Sequence, residues 1–507
     1  MLLDSQGTAA DFQERARESF EFESGEQWSA TDRQKLREEG RPHLVFNRVQ
    51  HIVNTVTGAE MVSRYETDYR PRSASMDDID TWVADALGEV YRHIYQRANM
   101  EQHISAAFRD AVVAGMGWTE TYVDYYDHPD GRVITQHVPI WEMAWDPTAR
   151  HANLQDAAYI IRGRWMRRRE FLRDFPEADE VFGAIGGAGN DFPGGYLGKS
   201  VDGGNYDTEL AKELGNTHYD STADRVLVYE AQYYEDDPDW WRFFIPAELA
   251  SQFPNGFGIG IDNVVQAGEK FWVSDDDFEE VMLALSGMTG GMSAENFILS
   301  KQPRRIWYRA FQAGGELLHR DESPTHGPTY LCITGLRDDS KEEHTEWHGI
   351  VRDMMDPARM VNKSLSTIVT LLATNPNALF FEEDAFVNEE EALASIAAGN
   401  KPVKMNPGGI EKIQKMLDRN PLPNGLEGLL SFSIDAVASN VGVNPFFLGQ
   451  VQDLRRTPAS SVAAIQRQAG VSLAPLMDNV HLSRKLHGRQ IAEMVQAFYS
   501  ADRIARI

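Results

Sequence analysis

The spacing of apolar residues changes along the chain, and the order of these changes constrains the fold most strongly. Residues 11–121 are mainly helical in pattern, and the clearest helix is predicted over 76–97, where apolar residues from Ile79 through Trp82 and Val83 to Ile94 form one stripe. From Trp118 the spacing becomes that of strands, with a turn at the sequence HPDG. Because strands never alternate regularly with helices, the pattern predicts an α+β fold and excludes a doubly wound sheet.

The second half of the chain continues this mixed order. The run RVLVYEAQYYEDDPDWWRFFI predicts strands, and RRIWYRAFQAGGELLHRD predicts a hairpin that turns at two adjacent glycines. A strong helix is predicted to begin at Asp356–Pro357, since Asp is a good N-cap and Pro suits the first helical position, and to end before Asn375–Pro376. Further helices are predicted at 389–398, 434–441, 459–469 and 476–499.

A glycine-rich run lies between the two β-rich regions. Residues 183–204 hold nine glycines in 22 positions, so the segment of about 183–222 is predicted to be a mobile surface loop, because glycine loses much backbone entropy on ordering. Within it, Pro193–Ser200 ends in the GKS of a phosphate-binding loop. Pro193 stands where that motif requires its first glycine, and neither flank has the necessary strand or helix pattern.

Composition excludes several functions. Acidic residues exceed basic ones, giving a net charge of −28, which argues against a loose binder of duplex DNA. The single cysteine, Cys332, forms no intrachain disulfide and fits a reducing compartment. No segment approaches the ~20 apolar residues of a membrane span, so we expect a soluble chain that makes no membrane contact of its own.

The other chemical motifs are weak. His344 and His348 are four apart, but Thr345 occupies the position of the zincin glutamate. The Gly256–Gly260 run lacks the third glycine of a dinucleotide site, and the acids at 275–277 are explained as a solvated helix start. We therefore expect no enzyme, no catalytic residue, no metal site and no cofactor. Five arginines lie at 162, 164, 167, 168 and 169, and nucleic-acid contact and salt bridges to nearby acids both remain open for them.

Four blocks in order along the chain resemble the P22-like, podovirus-type family of bacteriophage portal proteins. The opening "G-x-Q-W … G-R-P … N" block is matched by Gly25, Trp28, Gly40, Arg41, Pro42 and Asn47. The "W-D-P" block is matched by Trp145, Asp146 and Pro147. The "D-P-Q-R-x-x-N-x-x-x-S" block is matched by Asp356, Pro357, Arg359, Asn362 and Ser366, with Ala358 in place of the usual glutamine. The "A-x-x-x-R-Q" helix retains Arg467 and Gln468, but the Ser-Gly pair before it is absent.

This resemblance implies a portal fold with wing, helical stem, β-hairpin clip and helical crown, assembled as a ring, usually of twelve subunits. We assign the wing to 1–275, the first stem helix to 276–297 and the clip to 298–346. The second stem helix is assigned to 347–375, the wing return and tunnel-loop region to 376–430, and the crown to 431–507.

The resemblance also implies the function and the partners. A portal forms the channel at one capsid vertex through which duplex DNA is packaged and ejected. Its partners are other copies of itself, the terminase large subunit, head–tail adaptor or tail proteins, the major capsid protein and scaffold. Its place is the virion, after assembly in the host cytoplasm. The alternatives are a nucleotide-binding packaging or DNA-processing enzyme, based on 193–200, and another head–tail connector ring.

Two sets of site residues are predicted. On the second stem helix, Asn362, Ser366 and Thr370 are spaced four apart and form a polar, uncharged stripe. This stripe is predicted to be wet or hydrogen-bonded, and two roles remain open for it: facing DNA in the channel, or bonding to an adjacent subunit. In the clip, partner docking is predicted at Arg304, Arg305, Arg309 and Arg320.

Overall fold

The structure is a computed structural model, and it describes most but not all of the 507 residues. The described residues are 2–64, 67–70, 78–126, 129–178, 219–220, 223–244, 264–267, 270–275, 278–279, 282–283, 298–313, 316–341, 344–374, 380–381, 386–388, 391–392, 403–407, 413–414, 424–443 and 471–499.

Nine α-helices are described, most of them in the first 114 residues and near the C-terminus. They are α1 (Leu2–Ser24), α2 (Ala30–Glu38), α3 (Val49–Val62), α4 (Asp78–Arg97), α5 (Met100–Ala114), α6 (Arg168–Asp174), α7 (Ile350–Thr374), α8 (Asn424–Ser439) and α9 (Ala474–Phe498). Short 3₁₀ helices lie at Ile140–Glu142, Ala152–Leu154, Pro176–Ala178 and Val471–Leu473.

Seventeen strands are described, and they form antiparallel sheets. They are β1 (Met116–Asp124), β2 (Arg132–Val138), β3 (Met143–Trp145), β4 (Tyr159–Arg167), β5 (Tyr219–Asp220), β6 (Arg225–Asp237), β7 (Trp240–Phe244), β8 (Val264–Ala267), β9 (Lys270–Ser274), β10 (Ile298–Lys301), β11 (Arg304–Ala313), β12 (Glu316–Glu322), β13 (Tyr330–Thr334), β14 (Leu336–Asp338), β15 (Glu346–His348), β16 (Phe380–Phe381) and β17 (Ile413–Gln414).

The strand orders follow the predicted hairpins. A three-stranded sheet has the order β13-β1-β2, and a four-stranded sheet has the order β10-β7-β9-β8. A six-stranded sheet has five strands in the order β12-β11-β6-β4-β3, and its sixth strand, β5, pairs with β6. The hairpins β1–β2 and β11–β12 are therefore confirmed. The mixture of long helices with antiparallel sheets also confirms the α+β class.

Segments predicted as wing and clip share their sheets. Strand β11 pairs with β6 over ten positions, from Arg304 opposite Asp237 to Ala313 opposite Val228. In addition, β10 pairs with β7, and β13 pairs with β1. The boundary predicted between 297 and 298 therefore does not coincide with a break between sheets, and a separate clip stays a prediction.

Two large apolar clusters hold the described elements together. The first packs α3, α5, α7, α8 and α9 against one another, with fully buried residues such as Ile104, Phe108 and Met354. The second packs α1 against β1, β3 and β13 through residues such as Phe12 and Trp118. Helix α5 belongs at the centre of the fold, because it contacts helices on one side and strands β1 and β2 on the other.

Helix α7 begins earlier than predicted. Its first turns, before Pro357, are buried through Ile350, Val351 and Met354, so packing extends the helix past the proline. A proline inside a helix has no N–H for the carbonyl four residues back, which here belongs to Asp353. The side-chain Nδ2 of Asn440 donates to that carbonyl at 3.4 Å. The Asp356–Pro357 pair is therefore an interior feature of the helix, and the prediction that it starts the helix was wrong.

Two other helix predictions need correction. Helix α8 begins at Asn424, ten residues before the predicted start, because Gly425 and Gly428 obscure its helical pattern. In α4 the apolar stripe is buried at Val90 and Ile94, but Trp82 is 68% exposed. The sequence RRREFLRDFPEADEVF at 167–182 also predicts a short helix, and α6 occupies only Arg168–Asp174 of it. The helix predicted over 476–499 is present as α9.

Several predictions lie wholly or mainly outside the described residues. They are the first stem helix at 276–297, the glycine-rich loop at 183–222 with its Pro193–Ser200 near-match, Gly256–Gly260, the helices at 389–398 and 459–469, and the motif residues Arg467 and Gln468.

Candidate functional site

Two sequence blocks that are about 320 residues apart meet in the fold. Asn362 of α7 lies against the segment between α1 and α3, and its Nδ2 donates to Oε1 of Gln27 at 2.7 Å. The backbone N–H of Phe46 donates to Oδ1 of Asn362 at 2.8 Å. Asn362 is 1% exposed and Gln27 is 3% exposed, so both amide groups are buried and bonded. We call this contact between 25–47 and α7 the motif junction.

The opening block is held together by the same amides. Gln27 Nε2 donates to Oδ1 of Asn47 at 3.0 Å, and Asn47 Nδ2 donates to the carbonyl of Glu23 at 2.7 Å. Trp28 Nε1 donates to the carbonyl of Leu44 at 2.9 Å, which closes the loop between them. These bonds explain why Gln27, Trp28 and Asn47 occur together in one motif.

The glycine and proline of the G-R-P triplet also have local roles. Gly40 has φ of +66°, a backbone conformation that disfavours residues with a Cβ. The neighbouring Arg41 donates from Nη2 to Oγ1 of Thr367 at 3.0 Å. The Oγ of Ser366 donates to the carbonyl of Pro42. The triplet therefore docks the chain after α2 onto the second half of α7.

Arg359 of α7 contacts α1 close to the motif junction. Its Nη2 lies 2.6 Å from Oε1 of Glu18, and its guanidinium lies 5.4 Å from the centre of the Phe22 ring. Asp356, one turn earlier on α7, lies 3.4 Å from Nη1 of Arg359. These contacts are partly exposed, so each is worth about 0–1 kcal/mol.

The polar stripe of α7 is hydrogen-bonded, as its residue types require, but its partners lie in the same chain. Ser366 is 1% exposed, and Thr370 Oγ1 donates to the carbonyl of Ser366 at 2.8 Å. Together with Asn362, these side chains make contacts that explain the stripe without DNA and without a second subunit. Their contact with DNA stays a prediction.

The W-D-P block is also structural. Asp146 accepts from the backbone N–H of Thr148 at 2.9 Å and from that of Ala158 at 3.0 Å, which closes the loop between β3 and β4. The ring of Trp145 packs edge-on against Phe12 at 5.3 Å, so the block also anchors α1 to the sheet.

A buried ionic network joins the three-stranded and six-stranded sheets. Glu120 of β1 accepts from Arg162 Nη1 at 2.6 Å and from Gln136 Nε2 at 3.0 Å. Arg162 also donates from Nε to Glu142 at 2.8 Å. Of the two interpretations left open for Arg162, nucleic-acid contact and salt bridges to nearby acids, the structure therefore supports the salt bridges. Burial is the main cause that raises the pKa of Glu120, and the nearby Glu230 carboxylate adds to it.

The second half of this network surrounds Glu230 of β6. Its carboxylate accepts from Arg309 Nε at 2.6 Å, from the Tyr330 hydroxyl at 2.8 Å and from Gln232 Nε2 at 2.8 Å. Burial alone raises the pKa of Glu230, but Arg309 and these hydrogen bonds outweigh it and lower the pKa below its usual value. The network was missed from the sequence. Its only signal was a charged residue in the middle of each of two apolar strands, at Glu120 and Glu230.

The four arginines predicted to dock partners all contact acids within the chain. Arg305 lies 3.3 Å from Asp236, Arg320 lies 2.8 Å from Glu235, and Arg304 lies 3.6 Å from Glu322. Each also lies over an aromatic ring, and Arg305 is 3.7 Å from the centre of the Tyr234 ring. Arg309 is bonded to the buried Glu230. Their role in docking stays a prediction.

The described residues contain no group of three or more His, Cys, Asp and Glu side chains arranged to hold a metal ion. His344 lies 3.9 Å from Glu346, and burial lowers the pKa of His348. Burial also raises the pKa of the Cys332 thiol. Of the helices in the described ranges, none is both long and apolar enough to cross a membrane.

In the described residues these blocks join elements that are far apart in the chain, within a mixed α+β fold. The family model described as "Phage P22-like portal protein" matches residues 3–507. The chain therefore belongs to the P22-like family of phage portal proteins, as its motifs predict.

Other comparisons are more distant. No curated protein matches the chain. One solved structure to which it is similar is titled "Virion of native gene transfer agent (GTA) particle", with 10% identity and a TM-score of 0.20. The match covers 37% of this chain and 58% of that chain, so it spans less than two thirds of the length of that protein.

Proposed function

We propose that this portal-family chain assembles with copies of itself, twelve in the usual ring of the family, into a closed ring at one vertex of a phage capsid. The observation that carries the proposal is the family match over residues 3–507. In a cyclic ring each subunit uses two different surfaces, one for each neighbour. The exposed Trp82 of α4 and Phe432 of α8, which are 68% and 72% exposed, are suited to such surfaces.

The ring gives duplex DNA a path into the capsid during packaging and out of it during ejection. The net charge of −28 per subunit suits this role. A channel rich in lysine and arginine would release counterions from DNA and bind it tightly, whereas like charge keeps the DNA moving.

The segments divide this work as the family resemblance implies. We assign the wing to 1–275, the stem to 276–297 and 347–375, the clip to 298–346, the wing return and tunnel loop to 376–430, and the crown to 431–507. Support for the second stem assignment comes from α7, which has 25 residues and a length of about 37 Å. Its first half is buried in the core, while Leu371 and Leu372 near its end are exposed.

The partners follow from the position of a portal. The terminase large subunit binds transiently during packaging, and head–tail adaptor or tail proteins bind afterwards. The major capsid protein and scaffold surround the ring, which is assembled in the host cytoplasm and remains in the virion. The partly exposed arginines Arg304, Arg305 and Arg320 are proposed as contacts for these proteins.

Light scattering on the purified chain tests the assembly. We expect a species with about twelve times the chain mass of 57.1 kDa, at least at high protein concentration or with scaffold added. A mass of one chain under every condition of concentration, salt and added scaffold would contradict the proposal.

A further inference from the structure

A cleft separates the C-terminal helix from the edge of the six-stranded sheet. It consists of two cavities of about 280 and 310 Å³. The two cavities share four lining residues, so they form one elongated cleft rather than two separate sites; the shared residues are Arg305, Trp307, Thr325 and His326. Together they have the volume of an ordinary ligand site.

The lining of the cleft has three arginines and two glutamates, which is one more cation than anion in a strongly acidic chain. Arg304, Arg305 and Arg489 line it, together with the two acids Glu322 and Glu493. Glu322 is engaged by Arg304 at 3.6 Å, and Glu493 accepts from the backbone N–H of His326 at 3.1 Å. Both acids therefore already have partners.

Arg489 differs from the other two arginines. Arg304 and Arg305 each have a carboxylate within 4 Å, but Arg489 has none among the residues that the structure describes. It is exposed on α9, where it lines the cavity of about 280 Å³. A carboxylate entering the cleft would give Arg489 its missing partner.

A second group also lacks a partner. Gln490 is 5% exposed, and its Nε2 donates to the carbonyl of Pro328 at 2.9 Å. Its Oε1 is buried at the cleft wall, and none of the described residues donates a hydrogen bond to it. A buried acceptor without a donor costs about 1–3 kcal/mol, so a ligand N–H at this position would be favourable.

An aromatic ring completes the set. Trp307 of β11 lines both cavities and is only half-buried, and the buried Tyr330 lines the cavity of about 280 Å³ as well. The lining of the cleft therefore offers a cation, an amide acceptor and an apolar surface. An extended peptide presents the matching groups, namely a carboxylate, backbone N–H groups and an apolar side chain.

We propose that this cleft binds an extended acidic peptide segment of a partner protein. One carboxylate pairs with Arg489, a backbone N–H reaches Gln490 Oε1, and an apolar side chain packs on Trp307. Nucleic acid suits the cleft less well, because it carries a phosphate at every nucleotide and would bring several negative charges past Glu322 and Glu493, whereas a peptide needs only one carboxylate, at Arg489. The site belongs to the single chain, so it stands or fails separately from ring assembly.

Fluorescence polarisation with the full chain tests the proposal. The probe is a fluorescein-labelled hexapeptide of alternating glutamate and leucine, and its twin has glutamine in place of glutamate. We expect the acidic probe to bind at least tenfold more tightly than the twin. Equal binding of the two peptides would overturn the proposal, as would displacement of the acidic probe by a ten-nucleotide oligothymidylate at lower concentration than by unlabelled peptide.

Variants locate the binding. Arg489→Gln should weaken binding of the acidic probe about fivefold, as expected for a partly exposed ion pair of about 1 kcal/mol. Lys485→Gln is the matched control, because Lys485 is exposed one turn earlier on α9 and does not line the cleft. Trp307→Leu should weaken both peptides equally. If R489Q and K485Q weaken binding by the same factor, the peptide binds elsewhere.

Discussion

Replacing Asn362 with alanine tests whether the polar stripe of α7 holds the fold together or faces a water-filled channel. Alanine removes two hydrogen bonds, one to Gln27 Oε1 and one from the Phe46 backbone N–H. If the stripe faced water, both groups would bond to water instead, and the free energy of unfolding would hardly change. In the structure the site is 1% exposed, so both groups lose their partner.

The expected cost follows from these two groups. Leaving a buried polar group without a partner costs about 1–3 kcal/mol. The cost for the Phe46 N–H lies at the lower end of this range because Phe46 is half-exposed, so the two groups together cost about 3 kcal/mol. Alanine recovers about 0.7 kcal/mol because it favours a helix more than asparagine does. We therefore expect Asn362→Ala to destabilise the region around α7 by about 2 kcal/mol.

Hydrogen exchange measured by mass spectrometry reports the loss of stability separately for each peptide of the chain. This suits a chain that is too large for a two-state analysis. Peptides from 350–374 should exchange about thirtyfold faster in N362A, since each 1.4 kcal/mol is a factor of ten. Lys363→Ala is the matched control, because Lys363 is exposed and its ion pair with Asp32 at 3.6 Å is worth little. If N362A and K363A exchange alike, the buried junction does not hold α7 in place.

Three further predictions concern Ser366, His487 and Lys199. Ser366→Arg should prevent folding rather than slow DNA passage, because Ser366 is buried against Pro42; a soluble, well-folded S366R protein by circular dichroism would favour the channel role. Burial, with a contribution from the Arg484 charge, lowers the pKa of His487 to about 3. As the pH falls, this histidine therefore takes up a proton in the unfolded chain before it does so in the folded chain. The contribution of His487 to the free energy of unfolding should be fully present above pH 6.5 and decline towards pH 3. In urea titrations, His487→Gln should flatten this pH dependence, whereas His51→Gln, at an exposed site, should leave it unchanged. The chain should release no phosphate from ATP, and Lys199→Ala should leave assembly unaltered; turnover that is abolished by K199A would support the enzyme alternative.

Local periodicity predicted the elements that pack along one face. The hairpins β1–β2 and β11–β12 and the helices α4 and α9 are all visible in the spacing of apolar residues. The start of α7 was not, because capping rules assign a terminus to Asp356–Pro357. These rules take no account of Asn440, which lies 87 residues after Asp353 and donates to the Asp353 carbonyl that the proline leaves without a backbone donor.

The motif junction shows a second limit of sequence reasoning. Family resemblance identified Trp28, Asn47 and Asn362 as motif residues, but spacing along the chain does not reveal which of them touch. The contact between Gln27 and Asn362 spans 335 positions and is made by the tertiary fold alone. For the same reason the sequence predicted the place of Ser366 on the polar stripe, but it did not predict that the segment around Pro42 covers this residue.

The buried ionic network was the largest omission. A glutamate inside a strand usually marks its solvent face, and both Glu120, between two threonines, and Glu230, between Tyr229 and Ala231, invite that interpretation. Burial becomes possible only because Arg162 and Arg309 arrive from other strands and supply compensating charge. Partners of this kind are fixed by the register between β4, β6 and β11, which the sequence does not specify.

Electron microscopy of the purified chain in negative stain shows directly whether the subunits form a ring. We expect closed rings with a central hole, because the chain belongs to the portal family over residues 3–507. Single particles of one chain, or closed particles without a hole, at every protein concentration and with scaffold present would contradict it.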